Sequence, residues 1–568
     1  MIEAATQLEQ ELDACFQRTR DLCDARGIVL TRLDDGPGRR LNLRLAGQRC
    51  EWRLEVDCTW PCTTKLPNVV VHAPRELLAH VGWAGLVCVS DSQGLSLDEG
   101  RQADVVAHTV QEAFNLLERS AEDAVGDKTE FFDELEGYWS GLPGVTWGRS
   151  AVEVNEVSRN IVMHVDGEAS RLALWYFTEH GSSAPREFPV AKLPWARAMY
   201  AVLTEPVSPP KPGGKLSAAD VEQVLSSFSP EQKQLWQRCV SGSAKKKQAV
   251  ALLISMPRPA GGRSVVGLAF SVHKGQVLPN ELVTPISVLR HTVSYMRERG
   301  GASTAAAEKH IVVFGCGSVG SEVADALAAS GTGRLTLVDP DFMSEDNVFR
   351  HALGRDRIGW PKVVALREEL TRKYPGVAVD EAKVEAQEWL AKADLDSVDG
   401  FVLALGLPTL ERSLAWRLRA IGKALPMVVT WLEPLDLGGH SLLLSTNGEG
   451  CLDCVYRDEE GADALTPQTA FLAPGQAVTR NLTGCSSIFV PYGAIQSRRT
   501  ALLAAEQMLQ ALDGGAAPAY AFWAGDGIEA TKQGLRTTPW WSAAKSALPA
   551  DATKRLFGRP CRRCRNGS

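Results

Sequence analysis

Between His310 and His351 the chain reads HIVVFGCGSVGSEVADALAASGTGRLTLVDPDFMSEDNVFRH, and this stretch constrains the fold more than any other. Ile311 to Phe314 are consecutively apolar, the pattern of a short strand buried on both faces. A glycine-rich turn comes next, Gly315-Cys316-Gly317-Ser318-Val319-Gly320. Val319, Val323, Ala326 and Leu327 then recur at helical spacing, which predicts a helix opening directly from the turn. A second apolar run, Leu335 to Val338, ends in Asp339. Strand, glycine turn, helix, strand and acid in this order make the phosphate-binding half of a doubly wound sheet. The glycines Gly315, Gly317 and Gly320 let the backbone approach a phosphate. The helix N-terminus supplies donors and the positive end of its dipole. Asp339 stands where a carboxylate can grip ribose hydroxyls.

The residues beyond this acid argue against a dinucleotide dehydrogenase. Asp339-Pro340-Asp341 leads to Asn347-Val348-Phe349-Arg350-His351, and Lys362 comes after a Gly359-Trp360-Pro361 turn. Asn, Arg and Lys beyond the second strand suit a triphosphate, where a nicotinamide needs an open apolar slot. With these residues the stretch resembles the ubiquitin-activating enzyme superfamily, including the bacterial ThiF-like adenylyltransferases. That family's pattern is GxGxxG, then DxD, then NLxRQ, then a lysine. The resemblance covers roughly the last half of the chain. It implies ATP and Mg2+ as cofactors, with Gly315, Gly317, Gly320, Asp339, Asp341, Asn347, Arg350 and Lys362 at the nucleotide. The other reading is an ordinary Rossmann domain with a polar loop.

A length of 568 residues predicts three or four domains. A net charge of −7 gives no sign of a nucleic-acid-binding surface. No apolar run approaches the ~20 residues that span a bilayer. The first residues, MIEAATQLEQELDACFQRTR, lack a secretory apolar core. Thirteen cysteines without a signal peptide point to reduced thiols in a cytoplasmic protein, some of them ligands or nucleophiles.

From the N-terminus the pattern is an amphipathic helix over Ala4 to about Arg26, then strand-like runs at Gly27–Leu33, Arg40–Leu45, Cys50–Val56 and Val69–His72. A segment containing His80 and Gly85-Leu86-Val87-Cys88 comes after them, then a helix from about Ala103 to Leu117. This order, with Gly-Leu-Val-Cys, resembles a ubiquitin-conjugating enzyme, whose motif is glycine-x-isoleucine-cysteine. The resemblance implies that Cys88 is a nucleophile; the other reading is a core cysteine. His80 stands near the place of the family's His-Pro-Asn, but the Pro and Asn are missing, and Pro67-Asn68 lie too far upstream to replace them. Phe131 to Trp139 predict a short amphipathic helix closing this domain.

The region from Leu142 to Gly301 carries strand patterns at Asn160–His164, Arg171–Phe177, Gln248–Ser255 and Val265–Val272, but no motif with chemistry. It reads as an α/β linker orienting its neighbours. Pro209–Lys215 and Lys245-Lys246-Lys247 read as surface loops.

Beyond Lys362 the sheet continues with a strand at Val398–Leu405, a helix over about Thr409–Ile421 and a strand at Met427–Leu432. In the superfamily the first of these strands ends in Thr-Asp-Asn, whose aspartate helps hold magnesium. Here Leu405-Gly406-Leu407 stands instead, so either Asp341 or another acid takes the metal or the site is altered; Arg412 falls at the family's following arginine. Cys451-Leu452-Asp453-Cys454 and Cys561-Arg562-Arg563-Cys564 are two CxxC hooks, a thiolate set that suits one tetrahedral Zn2+ with no open position. The other reading, a disulfide framework, fits a secreted chain. Cys485 lies in Leu482-Thr483-Gly484-Cys485-Ser486-Ser487, after a polar, Ala/Pro/Gly-rich stretch from Asp458 to Arg480 and ahead of a helix over about Ala494–Leu512. A thiol before a helix N-terminus can ionise at lower pH, and the resemblance implies that this is the thioester-forming cysteine; the other reading is a small core residue.

The fold class expected is α/β: a ubiquitin-conjugating-like α+β domain over 1–141, a linker domain over 142–301 and a Rossmann-like adenylation domain over 302–568. The domain order resembles the fused activating–conjugating enzymes of bacterial CBASS antiphage systems. That resemblance implies adenylation of a protein C-terminus, thioester formation on Cys485, transfer to Cys88 and delivery to a target lysine. The activated protein would be a cyclic-nucleotide synthase, and the enzyme a homodimer. The alternatives are activation of a ubiquitin-like or sulfur-carrier protein, or a non-catalytic nucleotide-binding scaffold.

Overall fold

The computed structural model describes residues 2–33, 40–46, 51–58, 65–74, 76–91, 93–165, 175–184, 196–241, 247–279, 282–457, 463–482, 488–515, 517–558, 561 and 563–564. The chain forms two compact units, Met1–Thr292 and Val293–Ser568.

The first unit opens with α1 (Ile2–Asp24), then β1 (Val29–Arg32), β2 (Arg40–Ala46), β3 (Glu51–Asp57), β4 (Val69–Val71) and β5 (Leu86–Val87), and α2 (Gln102–Glu122). The five strands pair in sequence order, all antiparallel. Leu41, Leu43 and Leu45 alternate inward along β2 and meet Leu54 and Val56 of β3, all fully buried. Leu12 and Cys15 of α1 and Val106, Val110, Phe114 and Leu117 of α2 close over this face. The period-two pattern therefore fixes register, because a one-residue slip would turn these leucines to solvent.

α3 (Ala124–Asp133) and α4 (Leu135–Ser140) stand where one short helix was expected; the break falls at Glu134. Their aromatic face does not close the preceding sheet. Phe131, Phe132, Leu135, Tyr138 and Trp139 pack with Leu252, Ile254, Val266 and Leu268 of the next sheet along the chain. That sheet contains β6 (Thr146–Ser150), β7 (Arg159–Val165), β8 (Trp175–Glu179) and β9 (Ala196–Val202). After α5 (Ala218–Ser226) and α6 (Pro230–Val240) come β10 (Gln248–Pro257), β11 (Arg263–His273), β12 (Gln276–Val277) and β13 (Thr284–Arg290). The order is β10-β9-β7-β8-β6-β13-β11-β12, and β10 also pairs with β11, so the sheet closes on itself. The four strand patterns of this region appear as β7, β8, β10 and β11, with residues 171–174, like Lys245 and Lys246, outside the described set.

The second unit holds α7 (Val293–Arg299), β14 (His310–Phe314), α8 (Ser318–Ala329), β15 (Arg334–Val338), α9 (Lys362–Lys373), β16 (Ala378–Ala382), α10 (Ala386–Lys392), β17 (Gly400–Leu403), α11 (Pro408–Arg419), β18 (Pro426–Leu432) and β19 (Gly438–Ser445). A short pair, β20 (Arg480–Asn481) with β21 (Ile488–Phe489), precedes α12 (Ala494–Gly514) and β22 (Ala519–Ala524). α13 (Ile528–Lys532), α14 (Pro539–Ala544) and α15 (Pro549–Phe557) end the unit. The main sheet runs β16-β15-β14-β17-β18-β19-β22, parallel through β18 and antiparallel thereafter. α8, α9 and α12 cover one face, and α10, α11 and α15 the other. Such two-sided cover is why β14 is buried throughout and apolar from Ile311 to Phe314. Strand order reverses between β14 and β17, and the crevice beyond their C-terminal ends is where open α/β sheets bind ligands. No described helix is long and apolar enough to cross a membrane.

Candidate functional site

The glycine turn between β14 and α8 lies at that crevice. Gly315 has a φ of 85°, and a Cβ there would meet the Ala404 carbonyl at 2.7 Å. A Cβ on Gly320 would fall 1.8 Å from the Gly315 carbonyl oxygen. Both positions therefore require glycine. Gly317 differs: a Cβ there meets nothing within 4 Å, so it faces open space above the turn. Asp339, at the end of β15, is buried and holds the turn. Its Oδ2 accepts the Cys316 N–H at 2.7 Å and its Oδ1 accepts the Asp341 N–H at 2.8 Å. The carboxylate expected to grip a ribose thus already carries two local bonds and organises the glycine turn.

The segment after Asp339 brings the other expected residues to the same end of the sheet. Lys362, buried at the start of α9, pairs through Nζ with Asp341 Oδ2 at 2.8 Å. The Asn347 side chain caps its own turn, its Oδ1 accepting from the Ser344 N–H and hydroxyl at 3.1 Å each. The Arg350 guanidinium lies 5.0 Å from the Tyr492 ring centroid, and its buried Nε has no hydrogen-bond partner. Tyr492 in turn shares a 2.7 Å hydrogen bond with Ser318 at the start of α8. An orphaned guanidinium nitrogen, a glycine cradle and a lysine beside them fit a polyphosphate.

The turn Leu405-Gly406-Leu407 is supported by an acid that no sequence motif marks. Glu411 is buried in the first turn of α11, and its Oε1 accepts the N–H groups of Leu405 and Gly406 at 3.0 Å each. Burial raises its carboxyl to about 7, against the pull of those two donors. Its one signal in the sequence is an acid near a helix start. Arg412 does not serve the crevice. Its guanidinium is spent on Asp453, with Nε at 2.8 Å from Oδ1, and lies 4.5 Å from the Tyr456 ring centroid.

Asp453 belongs to the first CxxC hook. Cys451 Sγ is 3.9 Å from both Cys454 Sγ and Cys561 Sγ, and Cys454 Sγ is 3.7 Å from Cys564 Sγ. All four sulfurs lie within 4.8 Å of one another. Four sulfurs at ~2.3 Å from one ion, tetrahedrally arranged, stand roughly 3.8 Å apart, whereas a disulfide needs about 2 Å. The set fits zinc. Mutual hydrogen bonding pushes the Cys451 thiol up and pulls Cys454 down. Trp416 Nε1 donates to Asp453 Oδ2 at 2.7 Å, so the hook is fastened to α11. Among the described residues no carboxylate cluster of comparable closeness offers a magnesium site.

Cys88 comes directly after β5 and is exposed. Its N–H donates to the His80 carbonyl at 2.7 Å, and its sulfur lies 3.7 Å from the Ser90 carbonyl oxygen. Gly85 must be glycine: its φ is 85° and a Cβ would fall 2.3 Å from the Val71 carbonyl. His80 adopts a left-handed φ of 59°. Its Nδ1 is 3.0 Å from Glu134 Oε1 and its Nε2 is 2.9 Å from Glu130 Oε1. The hydrogen bond to Glu134, with that to Glu130, raises the imidazole to about 9. Cys485 lies outside the described residues.

Residues 294–519 match the ThiF family. The matched stretch lies within the C-terminal unit. The chain is 27% identical over 535 residues to the ATP-dependent ubiquitin transferase-like protein Cap2 of Pseudomonas aeruginosa, covering 86% of this chain and 90% of that protein. A Cap2 protein of Vibrio cholerae is 27% identical over 210 residues, 36% of this chain and 35% of its own. The molybdopterin-synthase adenylyltransferase of Escherichia coli is 37% identical over 73 residues, 13% of this chain and 29% of that enzyme. The ThiF-family match includes the glycine turn, Asp339, Asp341, Asn347, Arg350 and Lys362.

Proposed function

We propose that this chain is an ATP-dependent adenylyltransferase that activates the C-terminus of a protein and passes it through two cysteines to a target lysine. Three segments divide the work: 1–141 for conjugation, 142–301 as linker and 302–568 for activation. The observation that carries the adenylation step is the convergence at one crevice of the glycine turn, Lys362 and the unpartnered Nε of Arg350. Backbone N–H groups of the turn and these two cations hold the triphosphate and meet the charge that develops on it. A carboxylate oxygen of the partner attacks the α-phosphorus and pyrophosphate leaves. Asp341, paired with Lys362 and well exposed, is the acid that would reach a phosphate-bound Mg2+, which would supply charge neutralisation at the leaving pyrophosphate.

The Cys485 thiolate then attacks the activated carbonyl carbon and AMP departs. Cys88 takes the acyl group by thiol exchange, and a lysine amine of the target accepts it. Support for the second half is the exposure of Cys88 and the similarity to Cap2 proteins along most of the chain. The partner proposed, on the resemblance of the domain order to fused activating–conjugating enzymes, is a cyclic-nucleotide synthase of a CBASS system, in the cytoplasm and with the enzyme as a homodimer. Gly406 in place of an acid is the observation that favours a nucleotide-binding scaffold instead. ATP–pyrophosphate exchange dependent on a partner protein separates the two: exchange establishes adenylation, and bound ATP without exchange establishes the scaffold.

A further inference from the structure

We infer that His351 is the positioning residue of the glycine turn, fixing the peptide between Cys316 and Gly317 so that the Gly317 N–H is presented to a bound phosphate. The inference rests on the adenylation reading of this crevice. His351 is 4% exposed, and both ring nitrogens are engaged. Nδ1 accepts the Leu353 N–H at 3.1 Å, so it carries no proton. Nε2 therefore carries the proton, and it donates to the Cys316 carbonyl at 2.8 Å. Burial lowers the imidazole to about 4, and the nearby Lys362 charge acts in the same direction, so the ring is neutral and this tautomer persists at working pH.

The consequence lies in the turn. The N–H of Cys316 goes to Asp339, on one side, and its carbonyl goes to His351, on the other. Both polar groups of residue 316 are thus claimed by two different loops. In a trans peptide the N–H and C=O are antiparallel. With the Cys316 carbonyl drawn to His351, the Gly317 N–H points away from it. Gly317 is the residue of the turn whose missing side chain would enter open space. The loop bearing His351 is itself tied to α8, where Ser321 Oγ accepts the Ala352 N–H at 3.2 Å. Because His351 directly follows Arg350, one short segment sets both the guanidinium and the orientation of the turn.

A merely space-filling histidine would be replaced without consequence by an apolar ring of similar volume. The test is calorimetric titration of full-length protein with Mg–ATP, comparing wild type, His351→Phe and His351→Gln, with the melting temperature of each. Phe fills the space but makes neither bond; Gln restores a donor to Cys316. The expected result is ~10-fold or greater loss of ATP affinity in His351→Phe, the scale of an unsatisfied buried carbonyl, with recovery to within about threefold in His351→Gln. Equal affinity in wild type and His351→Phe overturns the inference. If His351→Phe does not fold, His351→Leu, which also makes neither bond, takes its place beside His351→Gln. A roughly tenfold loss in His351→Leu then supports the inference, and affinity equal to wild type overturns it. A wild-type protein that binds no ATP overturns the adenylation reading, and the inference falls with it.

Discussion

In the proposed reaction single side chains carry the chemistry of the crevice. Arg350→Ala and Lys362→Ala are expected to lower ATP–pyrophosphate exchange by ~10²–10³ while leaving the fold intact. Arg350 gives up a stacking contact with Tyr492, and Lys362 leaves behind an Asp341 that is 66% exposed and free to hydrate. Exchange at the wild-type rate in either variant contradicts the clamp. A second expectation concerns pH. His351 titrates near 4 when folded, against 6.5 unfolded. Its neutral ring therefore contributes full stability above pH 6.5, and that contribution is lost as pH falls from 6.5 through 4. Between pH 7 and 5 the wild type should lose roughly 2 kcal/mol more than His351→Gln, measured by denaturant unfolding of both at each pH. Equal losses would show that the ring is not held neutral. At this scale the sequence was legible where backbone geometry restricts residue type: Gly315 and Gly320 have no room for a Cβ, and Asp339 ends a strand. The roles of His351 and Glu411 were not legible, because their partners are backbone groups, in another loop for His351 and in the turn just ahead of its own helix for Glu411.

Elements were legible in proportion to their periodicity. α1, α2, β2 and β3 announced themselves through alternating or helical leucines, and α8 through its glycine turn. The break between α3 and α4 and the direction of their aromatic face were not, because an amphipathic stripe does not say which sheet it meets. The closed sheet was hidden for a related reason: β6 pairs with β8 and β13, and β9 with β7 and β10, pairings that no local pattern encodes. The two CxxC hooks were legible through spacing, and the fold brings sulfurs 110 residues apart to within 4 Å. One zinc per chain is expected by metal analysis of purified protein, and a well-folded metal-free protein contradicts it. Cys451→Ser should lower the melting temperature of the C-terminal unit, by about 2–4 °C for each kcal/mol of lost metal stabilisation in a domain of this size. Asp453→Asn is expected to retain zinc while loosening α11, because Arg412 and Trp416 both fasten to that carboxylate. An unchanged melting temperature in this variant would count against the fastening.

For the molecule as a whole, the proposed cycle puts two thiols in series on one polypeptide, Cys485 as the first acceptor and Cys88 as the second. A thiolate is both a good nucleophile and a good leaving group, so a thioester forms and exchanges where an oxyester would stall. The decisive measurement is a non-reducing gel of wild type, Cys485→Ala and Cys88→Ala, each incubated with ATP and the cognate partner protein, and repeated with reductant. Cys485→Ala should support pyrophosphate exchange and charge neither cysteine. Cys88→Ala should accumulate the partner on Cys485 as a band that reductant removes, with no product on the target. If Cys88→Ala delivers the partner to its target at the wild-type rate, the N-terminal segment is not the conjugating step and the cycle does not run through two steps on one chain.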